Sequence, residues 1–135
     1  MYLLDTNILS DLVRHPGGVI GARITELPVD AVATSIIVAS ELRFGAERRG
    51  SERLTAQLEG ILKRLPVLPL GESADRHYGA LRAALERQGT PIGANDMFIA
   101  AHTLALDATL VTDNVREFAR VPGLRVENWL RPASG

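Results

Sequence analysis

The sequence predicts an α/β fold in which a mostly parallel sheet of four to five strands is covered by helices on both faces. Short apolar segments alternate with amphipathic helical segments along the whole chain. The apolar segments have no polar face, so both faces of their sheet must be buried. The chain has 135 residues without a repeat or linker, and we expect one domain over residues 1–131 and a tail at 132–135.

The first half of the chain is predicted to hold two strands and four helices. The predicted strands are residues 2–5 and 31–34, and the helices extend to about residues 14, 27, 48 and 65. We expect Thr6 or Asn7 to cap the first helix and Thr34 or Ser35 to cap the third, because small polar side chains accept from free amides there. Glycine or proline follows each helix.

The second half is predicted to hold three strands and three helices. The predicted strands are residues 67–70, 108–112 and 124–126. The helices are residues 73–88, a segment to about residue 106 capped by Asn95 or Asp96, and a short helix at 114–118. Parallel sheets place ligands beyond the carboxyl ends of their strands. Asp5 and the segment Thr112-Asp113-Asn114 both lie at such ends.

Three acidic residues stand in segments that are otherwise apolar or rich in small residues: Asp5, Glu41 and Asp96. A carboxylate beside a core costs free energy unless it is hydrogen-bonded, paired or bound to a metal. No cationic residue is placed to pair with all three, so we expect one shared cation. Mg²⁺ or Mn²⁺ fits best, because both favour carboxylate and water oxygens. This constellation predicts a nuclease-type site.

Each acid also has a structural interpretation that the sequence leaves open. Asp5 begins an Asp-Thr-Asn cluster typical of helix caps, and Asp96 precedes an apolar helix in the same way. Glu41 lies in mid-helix, where Arg43 projects to the opposite side. A distant arginine such as Arg116 is its alternative partner.

Composition excludes several classes of function. The chain has no cysteine, which excludes disulfides, thiolate catalysis and zinc–thiolate sites. It has no apolar run of membrane-spanning length and no signal-peptide pattern, so we expect a cytoplasmic protein without a membrane partner. The net charge of −1 gives no overall basic field, which leaves local arginine clusters as the candidate phosphate-binding groups.

Five segments of the chain together match a known pattern. They are Leu4-Asp5-Thr6-Asn7, Ser40-Glu41-Leu42-Arg43-Phe44-Gly45, Pro91-Ile92-Gly93-Ala94-Asn95-Asp96, Leu110-Val111-Thr112-Asp113-Asn114 with Arg116-Glu117-Phe118, and Val121 to Trp129. In these segments the chain resembles the PIN-domain ribonucleases, and among them the VapC-type toxins of bacterial toxin–antitoxin pairs. The resemblance extends over residues 1–131 and implies a PIN-like three-layer fold.

The resemblance implies a Mg²⁺- or Mn²⁺-dependent endoribonuclease. Asp5 and Asp96 match the family's principal metal-ligating aspartates, and Glu41 matches its third acid, so these three are the expected catalytic residues. The family's fourth acid falls at Asn114, which is neutral, and one or two cations remain alternatives. Asp113 is adjacent, but we expect the one-residue offset to turn its side chain away.

Three further polar residues are expected to orient the metal ligands or the scissile phosphate: Thr6, Asn7 and Thr112. With Asn114 and Asp113, they complete the set of candidate site residues. The mechanism that the resemblance implies requires no protein nucleophile, because the cation held by these residues would supply an activated water.

The resemblance also implies partners. These are a structured RNA, with tRNA as the first candidate, and a small VapB-like antitoxin that inactivates the enzyme. We expect a homodimer through apolar helical faces, for which the leucine-rich face of residues 54–62 is one candidate, and a separate apolar groove for the antitoxin. The alternative is a non-catalytic binding protein that acts with a DNA-binding antitoxin.

Overall fold

The computed structural model describes residues 1–131, which contain a single sheet of five parallel strands. The strands are β1 (Tyr2–Leu4), β2 (Val32–Ser35), β3 (Val67–Leu68), β4 (Thr109–Val111) and β5 (Arg125–Glu127). Their order in the sheet is β3-β2-β1-β4-β5. The predicted parallel sheet of four to five strands is therefore confirmed, whereas the predicted tail lies outside the described residues.

Seven helices connect these strands within residues 1–131. They are α1 (Thr6–Arg14), α2 (Val19–Thr25), α3 (Ile36–Arg49), α4 (Glu52–Arg64), α5 (Ala74–Gln88), α6 (Ala94–Ala105) and α7 (Val115–Phe118). A short 3₁₀ turn at Val29–Ala31, which the sequence did not predict, leads into β2. The predicted third strand is shorter than expected and ends at Leu68.

Two predicted helix caps are wrong. The amide of Leu9 donates to the Asp5 carbonyl at 3.0 Å, so α1 begins one residue earlier than a Thr6 or Asn7 cap requires. The amide of Met97 donates to the Gly93 carbonyl at 3.0 Å, so Gly93 caps α6. In each case the backbone is already extended at the earlier residue.

The cap predicted for α3 forms at Ser35, and a serine cap that was not predicted forms at Ser51 before α4. In each case the serine oxygen replaces a missing backbone acceptor. Ser35 Oγ accepts from the Ile37 amide at 3.1 Å. Ser51 Oγ accepts from the Leu54 amide at 3.1 Å. Between these helices, Gly50 adopts a left-handed conformation with φ of 65°, which ends α3. The chain can therefore turn sharply from α3 into α4.

Both faces of the sheet are covered. Leu3 and Leu4 are adjacent in β1 and point to opposite faces, yet both are completely buried. Leu110 and Val111 in β4 are buried in the same way. The apolar strands predicted a sheet enclosed by helices, and this burial confirms that prediction.

The leucine-rich face of α4 packs within the chain. Leu58 is buried against Val13 of α1 and Ala46 of α3, and Leu54, Ile61 and Leu62 pack on this small second core. Internal packing therefore accounts for most of the face that was a candidate dimer surface.

The strand order brings two polar segments together. β1 and β4 are neighbours, and the Asp5 amide continues their ladder by donating to the Val111 carbonyl at 2.9 Å. Beyond β4, the Thr112 amide donates to the Glu127 carbonyl at 2.9 Å. Asp5 and Thr112 thus leave adjacent strands at the same edge of the sheet. Among residues 1–131, no helix is both long enough and apolar enough to cross a membrane.

Two helical glycines allow a test of the packing around α2. A Cβ on Gly21 would overlap the Pro16 carbonyl oxygen, whereas a Cβ on Gly79 of α5 would meet nothing within 4 Å. We expect Gly21→Ala to lower the free energy of unfolding by about 1–3 kcal/mol through overpacking. Gly79→Ala should raise it by about 0.5–1 kcal/mol, because alanine favours the helix. Urea unfolding checks both, and equal effects would contradict the close approach of α2 to the preceding turn.

Candidate metal centre

A polar cleft opens at the carboxyl ends of β1 and β4. It contains all three predicted acids and three of the five predicted supporting residues. Its lining residues are Asp5, Thr6, Asn7, Ser10, Arg14, Glu41, Leu42, Asp96 and Asn114. The acids come from the end of β1, the middle of α3 and the first turn of α6. The fold therefore assembles side chains that are far apart in sequence.

Asp5 is the most deeply placed acid of the cleft, with 3% of its surface exposed. Thr112 Oγ1 donates to its Oδ2 at 2.6 Å. Burial raises the pKa of Asp5 and the charge of Glu41 adds to this, whereas hydrogen bonds from Thr112 and the Thr6 amide oppose it. Asp5 precedes α1, but its side chain makes no capping bond to that helix. Helix capping alone therefore does not account for this carboxylate.

Glu41 is half-buried on α3 and accepts a hydrogen bond from Thr6 Oγ1 at 2.8 Å. Its Oε2 is thereby fixed to the residue that follows Asp5. Arg43 pairs with Glu59 on α4 instead. Within residues 1–131, Glu41 takes part in no salt bridge, so the alternative of a distant arginine partner is not found there.

Asp96 has the most perturbed carboxyl group of the cleft. It is half-buried in the first turn of α6. Burial is the largest cause that raises its pKa to about 6, and the charges of Asp5, Glu41 and Glu117 raise it further. Nearby negative charges disfavour ionisation, so part of this shift comes from repulsion by the three other carboxylates.

Glu117 is an acid near the cleft that the sequence analysis assigned no role. It lies on α7, and its Oε2 accepts from Asn114 Nδ2 at 2.9 Å. Its charge contributes, after those of Asp5 and Glu41, to the raised pKa of Asp96. The available sequence signal was its position three residues after Asn114, one helical turn beyond the expected fourth acid.

The segment after β4 is held to the segment after β1 by a small hydrogen-bond network. Thr112 Oγ1 donates to Asp5 and accepts from the Asn114 amide at 3.0 Å and from Asn7 Nδ2 at 3.5 Å. Asn7 Oδ1 in turn accepts from the Asp113 amide at 2.9 Å. Thr112 and Asn7 therefore orient Asp5 and place Asn114 at the cleft.

Asp113 is directed away from the cleft. Its Oδ1 accepts from Asn128 Nδ2 at 2.9 Å and lies 3.4 Å from Arg131 Nε. It is absent from the residues that line the cleft, whereas Asn114 is among them. The geometry agrees with the expected outward turn of Asp113, while the role of Asn114 at the fourth position remains a prediction.

The cleft offers the oxygen donors that Mg²⁺ and Mn²⁺ prefer. Its acids are all carboxylates, and no histidine lines it. Across residues 1–131, however, no three acidic or histidine side chains are already close enough together to hold a metal ion directly. Mg²⁺ commonly keeps several waters and binds through one or two carboxylates. The donor set therefore fits a hydrated divalent cation, and the ligand roles of Asp5, Glu41 and Asp96 remain predictions.

Known proteins are similar in sequence to this chain over nearly their whole length. The family described as PIN domain matches residues 2–124. Ribonuclease VapC2 of Rickettsia felis is 37% identical over 96% of this chain and 98% of its own. The tRNA(fMet)-specific endonuclease VapC of Salmonella typhimurium is 39% identical over 95% of this chain and 97% of its own.

A solved structure shows the same fold. In the crystal structure of VapBC2 from Rickettsia felis bound to a DNA fragment from their promoter, one chain is 36% identical to this one and aligns with a TM-score of 0.89. The alignment covers 95% of this chain and 98% of that one. The sequence resemblance and the predicted PIN-like fold are thus confirmed.

The raised pKa of Asp96 predicts an unusual pH dependence of stability without metal. Its folded pKa of about 6 lies above the ordinary value of 3.8, so the folded state binds the proton more tightly. This group therefore adds stability as the pH falls through 6. Urea unfolding in a chelator at pH 7.5, 6 and 5 should show that the difference between the protein and Asp96→Asn shrinks on acidification. A difference that is constant with pH would contradict the repulsion.

Proposed function

Because the chain belongs to the PIN-domain family, we propose that it is a Mg²⁺- or Mn²⁺-dependent endoribonuclease, the toxin of a type II toxin–antitoxin pair. The observation that carries this proposal is the pKa of Asp96, raised to about 6 by burial and by the charges of three other carboxylates. Repelling acids gathered in an open cleft favour a divalent cation, which removes the repulsion.

In such an enzyme, some residues of the cleft would hold the cation and others would orient the carboxylates that hold it. Asp5 and Asp96 are the proposed metal ligands, and Glu41 is the third acid. When bound, the cation supplies an activated water and stabilises charge on the phosphodiester as it is attacked. Thr112 fixes one oxygen of Asp5 at 2.6 Å. Thr6 does the same for Glu41 at 2.8 Å.

RNA is the substrate that the cleft and the relatives favour. Arg14 lines the cleft beside the acids, and Arg48 and Arg49 line an adjoining groove. Guanidinium groups bind phosphate oxygens through two parallel hydrogen bonds, so these arginines are suited to an RNA backbone. The tRNA(fMet) specificity named for the Salmonella relative makes tRNA the first candidate. A tRNA substrate would place the enzyme in the cytoplasm.

The adjoining groove is the proposed binding site of a VapB-like antitoxin. It runs between α1, α3 and α4, and combines apolar side chains such as Val13, Leu54 and Leu58 with the arginines. Glu41 and Arg14 line both the groove and the cleft. A segment bound in the groove would therefore cover the acids and exclude RNA, which gives inhibition without a change of fold.

A homodimer is the remaining partner proposal. Ile36 and Phe44 lie two helical turns apart on α3 and are 42% and 65% exposed, respectively. Exposed apolar side chains on one helical face are typical of an interface. Unlike the packed face of α4, this surface of α3 is available to a second copy of the chain.

Removing the charge of Asp96 should abolish RNA cleavage while leaving the fold intact. Asp96→Asn keeps the side-chain shape but removes a proposed ligand and part of the carboxylate repulsion. We expect a loss of at least about a hundredfold in cleavage of total tRNA in Mn²⁺, with stability in chelator equal or higher. Asp75→Asn, an exposed acid on α5, is the control and should cleave normally. Cleavage by Asp96→Asn at the normal rate would remove the acid from the mechanism.

Glu117 and Asp113 form a matched pair for locating the fourth acid. Glu117 acts on Asp96 by charge, whereas Asp113 is turned toward Asn128. We expect Glu117→Gln to weaken Mn²⁺ binding by about tenfold, and Asp113→Asn to change it by less than about twofold. Isothermal titration gives both values. The opposite ranking would place Asp113 in the metal centre.

A further inference from the structure

Away from the cleft, one buried polar pair joins the two helices that carry Glu41 and Asp96. Ser35 ends β2 and caps α3, and its Oγ lies 2.7 Å from Nδ1 of His102 on α6. The exposed fractions of Ser35 and His102 are 0% and 1%. A hydrogen bond at this depth has little competition from water, so it fixes the two elements that it joins.

The hydrogen-bond directions around Ser35 define the state of the imidazole ring. Ser35 Oγ accepts from the Ile37 amide at 3.1 Å, so its own proton is available for His102. Among residues 1–131 this proton has no other acceptor, so the arrangement that satisfies Ser35 has Nδ1 of His102 as an unprotonated acceptor and the ring proton on Nε2. Burial lowers the pKa of His102 and the Pro69 carbonyl opposes this. The ring is therefore neutral at pH 7.

The Nε2 atom of His102 indicates that a histidine at this position costs free energy. It has no partner with hydrogen-bond geometry among residues 1–131, although it is buried. An unsatisfied buried donor costs free energy that an apolar side chain would avoid. The hydrogen bond of Nδ1 to Ser35 is the feature that an apolar residue could not supply.

The pair joins the two elements that carry acids that repel each other. His102 is six residues after Asp96 on α6, and Ser35 is six residues before Glu41 on α3. The charge of Glu41 raises the pKa of Asp96, so free movement of α3 and α6 would let the carboxylates separate. A fixed bond between the helices opposes that separation.

We propose that His102 is a positioning residue, which acts through Ser35 to hold α6 against α3 so that Asp96 and Glu41 stay within reach of one cation. This inference rests on the proposed metal centre. Without the bond, part of the cation's binding energy is spent on bringing the helices together. The prediction is weaker metal binding, beyond the loss of stability that any buried change produces.

The variants are chosen to separate positioning from general packing. His102→Leu removes the acceptor and Ser35→Ala removes the donor. Thr103→Val is the control for α6, because the buried Thr103 hydroxyl donates only to the Ile99 carbonyl of the same helix at 2.7 Å. Ser51→Ala is the control for a lost helix cap. His102→Asn retains an amide oxygen near the position of Nδ1.

Isothermal titration with Mn²⁺ is the first measurement. His102→Leu and Ser35→Ala should each raise the dissociation constant by about two- to thirtyfold. The double variant should lose no more than the worse single variant, since both changes break one bond. Thr103→Val and Ser51→Ala should bind Mn²⁺ normally although they are less stable, and His102→Asn should recover part of the affinity. Normal binding by His102→Leu, or equal losses in the controls, would overturn the proposal.

The second measurement uses the unaltered protein, so its result does not depend on whether a variant folds. In the ¹⁵N-labelled protein at pH 7.5, the ring nitrogens of His102 should show a neutral imidazole with the proton on Nε2. A proton on Nδ1, or a charged ring, would overturn the proposed arrangement in which Ser35 donates to His102. If the unaltered protein binds no Mn²⁺, the proposed metal centre fails together with the positioning role, whereas the ring state still reports whether Ser35 donates to His102.

Discussion

Burial of acids that also repel one another is the constraint on which this site depends. Burial raises the pKa of Asp96 most, and the charges of Asp5, Glu41 and Glu117, which come from three other elements, help to bring it to about 6. The chain tolerates this cost because a buried parallel sheet fixes the ends of β1 and β4 side by side. Two hydroxyl groups then hold two of the acids through hydrogen bonds. The Thr112 hydroxyl donates to Asp5, and the Thr6 hydroxyl donates to Glu41. A strained charge arrangement of this kind is typical of functional sites.

Much of the fold was predictable because its signals are local. Apolar strands of this kind are buried on both faces, and Ser35, one of the two predicted alternatives, caps α3. The errors arose where backbone geometry decides the boundary. The side chains of Asp5 and Gly93 do not indicate that α1 and α6 begin directly after them and not a few residues later. The order of the strands is likewise a property of the packed sheet rather than of any one segment.

The site was predictable to the extent that its acids stand in unusual surroundings. Asp5, Glu41 and Asp96 interrupt apolar or small-residue segments, and the fold gathers them in one cleft. Glu117 was not predicted as a site residue because an acid on a short polar helix is common at a protein surface. Its contribution depends on its bond with Asn114 and its distance from Asp96, which only the packed structure shows. The family pattern places an acid at position 114, and Glu117 supplies a negative charge beside the asparagine found there.

Counting the protons released when Mn²⁺ binds tests most directly whether repelling carboxylates hold a cation in this cleft. Because the pKa of Asp96 is about 6, this carboxyl is partly protonated at pH 6 and ionised at pH 8. Titration calorimetry at pH 6 in two buffers of different ionisation enthalpy should therefore show release of about half a proton per bound ion. At pH 8 the release should fall close to zero, and in Asp96→Asn it should be much reduced at pH 6. Binding without proton release at pH 6, or no binding, would contradict a cation held by repelling carboxylates.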